Sequence, residues 1–173
     1  MSIAPEAIAA ARAAQRRWNI PASITLAQYG VESGFGWHMP PGSNNPFGIK
    51  ARPGEPAVEA MTTEIFHGVD RREEQPFRKF ASLAEAFDYH AELLATAPVY
   101  AIPRSMLLGG LTVAAVNAFA AALTHRYATD PGYGRKLIAL MRADDLYRHD
   151  AAVEDTAPVV APSPIEPPPP EAR

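Results

Sequence analysis

The sequence predicts a mainly α fold of the α+β class, a helical body carrying one small β-hairpin. Three observations lead there. Helix-forming stretches with recognisable start and stop residues recur between residues 5 and 141. A single run, residues 57–80, is rich in β-branched and aromatic residues. Between the second helical stretch and that run lie ten glycines and prolines within residues 34–56. Such a density of breakers marks a long loop, and long loops inside compact domains commonly carry function.

The first helix is expected over 5–18, rich in Ala and Arg, with Pro5 suited to its first turn. Asn19-Ile20-Pro21 breaks it. A second helix starts at Pro21, carries Ile24, Leu26, Ala27 and Val31, and stops at Gly34. After the loop, Val58, Met61, Thr62, Thr63, Ile65 and Phe66 favour a strand. His67-Gly68-Val69-Asp70 supplies the turn and residues 77–80 the return. Ser82-Leu83-Ala84-Glu85 is a capping box for a helix with Leu83, Phe87, His90 and Leu94 on one face. A further helix is expected over 112–123, and Asp130-Pro131 opens a last one that ends near Met141.

The chain has 173 residues, enough for one domain with a substantial core. Residues 1–150 are read as that domain. Residues 151–173 form a Pro-rich acidic tail too poor in buriable surface to fold, expected to be extended and solvated. The tail holds four acids against Arg173, which leaves the preceding 150 residues with fifteen acids and fifteen bases. A neutral body offers no electrostatic footprint for nucleic acid. The absence of Cys excludes disulfide scaffolds, thiolate metal sites and cysteine nucleophiles. No apolar run approaches the roughly 20 residues of a membrane span, and the N-terminal stretch reads as a helix rather than a secretory leader, its Arg12, Arg16 and Arg17 following the apolar residues. The five histidines make no metal-binding pattern, and neither a dinucleotide loop nor a serine-hydrolase elbow is present.

Glu32 is the residue most suggestive of chemistry. It falls in the last turn of the second helix, where the negative end of the helix dipole disfavours ionisation. Phe35, Trp37 and Phe47 are close in sequence and would make its surroundings apolar. Both effects keep a carboxyl protonated, which a general acid in glycoside hydrolysis requires. From these features alone, an ordinary surface carboxylate is the simpler reading.

The stretch around it resembles glycoside hydrolase family 73, the peptidoglycan-cleaving N-acetylglucosaminidases. The resemblance is carried by Gln28, by Glu32-Ser33-Gly34-Phe35-Gly36 and by Asn45-Pro46-Phe47-Gly48-Ile49-Lys50. Two more pieces follow in order. Thr62-Thr63-Glu64 leads into Phe77-Arg78-Lys79-Phe80-Ala81-Ser82, and Tyr127-Ala128-Thr129-Asp130-Pro131-Gly132-Tyr133 precedes Lys136-Leu137. Together they span most of residues 20–142. The departures are small: Phe35 stands where Trp is common, and Pro46 where an aliphatic is usual.

The resemblance implies a lysozyme-like helical body with the hairpin as a lobe beside the cleft. It implies Glu32 as general acid, Glu64 as the second carboxylate and Tyr127 at the cleft floor, ordering the acetamido group or the water. The sugar's acetamido group is an alternative to Glu64 for the opposite face. Trp37, Phe47 and Tyr133 are candidates for sugar contact or for core packing, and Asn45 for substrate binding or turn chemistry. Neither metal nor nucleotide is implied.

The expected activity is hydrolysis of the β-1,4 bond between N-acetylglucosamine and N-acetylmuramic acid, by a monomer acting on peptidoglycan glycan strands without nucleic acid or membrane insertion. A muramidase or lytic transglycosylase, and a non-catalytic wall-binding module, are the alternatives. With no leader recognised, the chain is expected to leave the cytoplasm by a holin, a flagellar-type apparatus or another secretion route. A phage lysin and an antibacterial effector both suit that.

Overall fold

The computed structural model describes the backbone of residues 3–66 and 69–151, and the side chains of those residues except 63–66 and 69–71. Helix α2 (Ala22–Ser33) runs through the centre of the body. Its sequence, ASITLAQYGVES, has small or apolar residues on every face, and nine of its twelve residues are buried, as such a pattern requires. Helix α1 (Pro5–Trp18) packs beside it, burying Ala7, Ala10, Ala11, Ala14 and Trp18, which recur at helical spacing, and ends on the left-handed Asn19.

The Ala face of α1 also lets α3 (Leu83–Thr96) approach closely. The cap forms where the sequence predicts: Ser82 Oγ accepts from the Glu85 N–H at 3.1 Å, while the Glu85 carboxylate reaches one residue past the cap to accept from the Ala81 N–H. A 3-10 turn (Pro98–Tyr100) and the short α4 (Ala101–Ser105) follow; neither stands out in the sequence, because each is too short for a periodic pattern. Helix α5 (Val113–Ala122) is capped by Thr112, and α6 (Tyr133–Ala143) crosses it at Gly134. A Cβ at Gly134 would stand 2.7 Å from the Ala120 carbonyl oxygen, so this crossing demands glycine.

The regular part of α6 begins two residues later than the Asp130-Pro131 pair leads one to expect. Asp130 caps a preceding turn instead, accepting from the Gly132 N–H at 2.7 Å and from Lys136 Nζ at 2.6 Å. The chain then closes back on α2. A second 3-10 turn (Leu146–His149) places Asp150 at the N-terminus of α2. There its carboxylate accepts from the Ser23 N–H at 2.8 Å and from Ser23 Oγ at 2.7 Å. Pro21, the local cap position, has no side-chain hydrogen bond to offer, so α2 is capped from 127 residues away. Gln15 clamps the same junction, bonding both the N–H and the carbonyl of Ala151. The ordered body thus includes Ala151; the rest of the tail expectation, residues 152–173, lies outside the described residues.

Strands β1 (Ala57–Phe66) and β2 (Val69–Arg78) form one antiparallel ribbon, Ala57 opposite Arg78 and Phe66 opposite Val69. Val69 and Asp70, expected in the turn, belong to β2, whereas His67 and Gly68 of that turn lie outside the described residues; the return strand ends at Arg78 rather than at Phe80. The charged run Arg71-Arg72-Glu73-Glu74 has little strand propensity of its own; pairing to β1 holds it extended. The ribbon is anchored at its base. Arg78 N–H donates to the Ile49 carbonyl, Ala51 N–H to Pro76, Lys79 N–H to Pro56, and Phe77 is buried. Among the described residues no helix is long and apolar enough to cross a membrane.

Candidate active site

The end of α2 is built to stop abruptly. Gly34 adopts the left-handed conformation at φ 58° and returns its N–H to the Gly30 carbonyl at 2.9 Å. Ser33, buried at the same place, ties the turn from both sides. Its hydroxyl donates to the Tyr29 carbonyl and accepts from the Gly36 N–H, while its own carbonyl accepts from the His38 N–H. The last turn therefore delivers Glu32, the one exposed residue of α2, to the surface at a fixed point.

Two residues distant in sequence meet Glu32 there. Tyr133, the first residue of α6, donates its hydroxyl to Glu32 Oε1 at 2.5 Å. Gln28, one turn back on α2, donates from Nε2 to the same Tyr133 oxygen at 3.0 Å. Tyr127 stacks on Tyr133, with ring centroids 5.6 Å apart and an interplanar angle of 12°. His90 packs edge-on against Tyr127 and lies flat on Phe47 at 4.0 Å. An aromatic column thus runs from the core to the acid.

Burial, with the charge of Glu32 adding to it, pushes the Tyr100 phenol up to about 12 and Tyr127 well above its ordinary value. Tyr133 moves the same way through burial, its neighbour Tyr127 and Glu32. All three phenols stay protonated, and that of Tyr133 serves Glu32 as a donor. His90, wholly buried, is pushed down to about 3 by desolvation and stays neutral.

Glu32 opens onto a pocket of about 520 Å³. One wall is the end of α2 and the loop, with Ser33, His38, Met39, Pro40 and Pro41; the other is β1, with Glu59, Ala60, Met61 and Thr62. Asn45, Pro46, Gly48 and Phe77 close the pocket between them. The arrangement presents one carboxylate, with a hydrogen bond donated to it, across an open cleft from a ribbon carrying further carboxylates. That suits protonating one side of a bond while water is directed to the other.

The residues singled out in the sequence are not all in this cleft. Glu32 and Tyr133 are brought together directly. Tyr127 is one ring behind, supporting Tyr133 rather than bonding Glu32 in this structure. Phe47 is 4% exposed and belongs to the core, stacked on His90 and edge-on to Phe87. Trp37 is 79% exposed, and Phe35 packs on Tyr29, so the apolar shield expected from Phe35, Trp37 and Phe47 does not form around Glu32. The rings near the acid are phenols instead.

Asn45 lines the pocket, but its amide is committed to the chain. It donates to the Ile49 and Arg78 carbonyls and accepts from the Ile49 N–H, tying the loop to the ribbon. Glu64 stands in β1 opposite Arg71, two positions beyond Thr62; its side chain lies outside the described residues. Sequence reasoning missed Gln28 as a site residue, along with Tyr100, His38 and Glu59. The spacing of Gln28 to Glu32, one helical turn, was the available signal for the first. Among the described residues no group of acidic or histidine side chains could hold a metal ion.

Comparison with known proteins shows what the chain is similar to. The family model described as mannosyl-glycoprotein endo-β-N-acetylglucosaminidase matches residues 8–146. Peptidoglycan hydrolase FlgJ of Salmonella typhimurium is 34% identical over 140 residues, covering 76% of this chain and 42% of that protein. The autolysin of Enterococcus faecalis is 35% identical over 135 residues, 75% of this chain and 18% of that one. The chain therefore spans less than half the length of these relatives. A crystal structure of a peptidoglycan hydrolase mutant from Sphingomonas sp. A1 superposes with a TM-score of 0.63 at 32% identity, covering 81% of this chain and 90% of that one.

Proposed function

The chain belongs to the glucosaminidase family, and on that premise we propose that it hydrolyses peptidoglycan glycan strands at the β-1,4 bond between N-acetylglucosamine and N-acetylmuramic acid. One observation carries the reading: Glu32 leaves the end of a buried helix at the pocket with Tyr133 donating to one of its oxygens. Glu32 protonates the leaving sugar oxygen. As its charge develops, the hydrogen bond from Tyr133 becomes charge-assisted and strengthens, which stabilises the transition state more than the ground state. Tyr127 backs Tyr133 and keeps its ring in place.

Glu64 on β1 supplies the second carboxylate and activates water on the opposite face. Glu59 lines the pocket on the same strand and is the competing assignment. Trp37, exposed on the loop after α2, offers a face for a sugar ring. The work is done outside the cytoplasm, where the substrate lies.

The test is digestion of purified peptidoglycan by the wild type and by Glu32→Gln, followed by borohydride reduction and mass spectrometry. Reduced glucosamine ends from the wild type, with turnover lowered at least about 100-fold in Glu32→Gln, are expected. Reduced or anhydro-muramic ends would assign the bond to a muramidase or transglycosylase, and full activity in Glu32→Gln would remove Glu32 from the chemistry. Glu64→Gln and Glu59→Gln, compared in the same assay, separate the two candidates for the second carboxylate: the larger loss falls on Glu64.

A further inference from the structure

Gln28 is a costly residue where it stands. It is fully buried, and its Oε1 has no hydrogen-bond partner among the described residues. An apolar side chain of the same length would pack there without that penalty. Its single hydrogen bond runs from Nε2 to the Tyr133 hydroxyl oxygen at 3.0 Å, and Tyr133 in turn donates to Glu32 Oε1 at 2.5 Å. Residues 28 and 32 share one face of α2, and Tyr133, arriving from α6, bridges them.

We propose that Gln28 is a positioning residue for the acid: its N–H commits the one proton of the Tyr133 hydroxyl to Glu32 Oε1, so that the proton Glu32 transfers is carried on its other carboxyl oxygen. This rests on Glu32 being the general acid. A phenolic hydroxyl has one proton and accepts as well as donates. With Gln28 donating to it, Tyr133 points its proton at Glu32 whether Glu32 is charged or neutral. Without Gln28, the neutral carboxyl can turn its own O–H onto the Tyr133 oxygen and hold its proton there, away from the substrate. The amide also polarises the hydroxyl and strengthens its donation to the carboxylate. A functional role of this kind accounts for a half-satisfied amide inside the central helix.

The experiment is a double-mutant cycle on the full chain with Gln28→Met and Tyr133→Phe, followed by initial rates on solubilised glycan strands across pH and by thermal melting. Gln28→Met is expected to melt at or above the wild type, because the orphaned carbonyl is gone. Its kcat should fall about tenfold with KM little changed, and the basic limb of its profile should move to higher pH as Glu32 retains its proton longer. In the Tyr133→Phe background the same substitution should cost nothing further, since Gln28 acts through that hydroxyl.

Wild-type kcat and pH profile in Gln28→Met would overturn the proposal. So would a loss that adds in full to that of Tyr133→Phe and tracks a lowered melting temperature, which is the mark of simple packing. Should Gln28→Met not fold, Gln28→Glu carries the test. The introduced carboxylate would draw the Tyr133 proton to itself, so activity should be lost at neutral pH and return on acidification; wild-type activity at all pH values would overturn the proposal equally. Glu32→Gln runs in parallel. If it is inactive while Gln28→Met is unaffected, the relay alone fails; if it is active, the acid assignment beneath the relay fails.

Discussion

The two walls of the cleft are made in opposite ways. The Glu32 wall is the end of a helix with nine of twelve residues buried, capped at its far end by Asp150 and bonded at its near end through Ser33, Gly34 and Tyr133. The other wall is a two-stranded ribbon with Met61 more than half exposed, joined to the body by backbone hydrogen bonds at its base and by Phe77. A two-stranded ribbon has little stability of its own. The contrast separates two tasks. On the proposed function, the acid has to be held to a fraction of an ångström, and the opposite wall has to admit a glycan strand.

Paired substitutions sharpen that contrast most. Phe87→Ala removes a ring from the centre of the body, where it contacts both Tyr29 and Phe47, and should lower global stability by about 3–5 kcal/mol in chemical denaturation. Phe77→Ala removes the ribbon's apolar anchor. It should leave the body's unfolding midpoint near the wild type while reducing glycan cleavage and raising hydrogen exchange in residues 57–62. Equal global destabilisation by both would show that ribbon and body unfold as one unit.

Acid should act on the body through His90. Its folded-state value of about 3 lies below the ordinary 6.5, so the unfolded chain takes up a proton that the folded chain refuses. Stability from this residue is complete above about pH 6.5 and falls as pH drops toward 3, by a few kcal/mol in all. His90→Leu should be at least as stable as the wild type at pH 7 and should lose that part of the acid slope. An unchanged slope in denaturant titrations at pH 4 and 7 would place the acid sensitivity elsewhere.

The smallest effect concerns the cap. Asp150→Ala should cost about 1 kcal/mol and lower kcat modestly by loosening α2, whereas the conservative Asp150→Asn should retain most of both. Burial holds the Asp150 carboxyl above its ordinary value, so the neutral amide suits the site. A loss in Asp150→Ala as large as that from Phe87→Ala would mean that the C-terminal turn does more than cap.

Much of the architecture was legible because it is local. Helix α1 begins and ends where Pro5 and Asn19 put it, Gly34 ends α2, and Ser82 with Glu85 opens α3. Each of these signals acts within a few residues through backbone conformation or a single hydrogen bond. The family resemblance, spread over four motifs, likewise survived in order. The ribbon's existence was readable and the start of its return strand was not, since Val69-Asp70 pairs only because β1 imposes a register on a charged segment.

What the tertiary structure decided was the assignment of similar residues to different work. Phe47 and Trp37 look alike in the sequence, yet α3 covers one and nothing among the described residues covers the other. Tyr127 and Tyr133 lie six residues apart, and the crossing of α5 and α6 at Gly134 puts the second, not the first, against Glu32. Asn45 lines the pocket with an amide committed to the backbone. Gln28, Tyr133 and Glu32 form one chain of hydrogen bonds across more than 100 residues of sequence. By itself the sequence determined, to within a residue, where α1, α2 and α5 start and stop and where α3 starts, and which carboxylate ends the central helix, because propensity and capping are short-ranged. Which partner reaches that carboxylate depends on burial and on the meeting of distant elements, and those are fixed when the whole core packs.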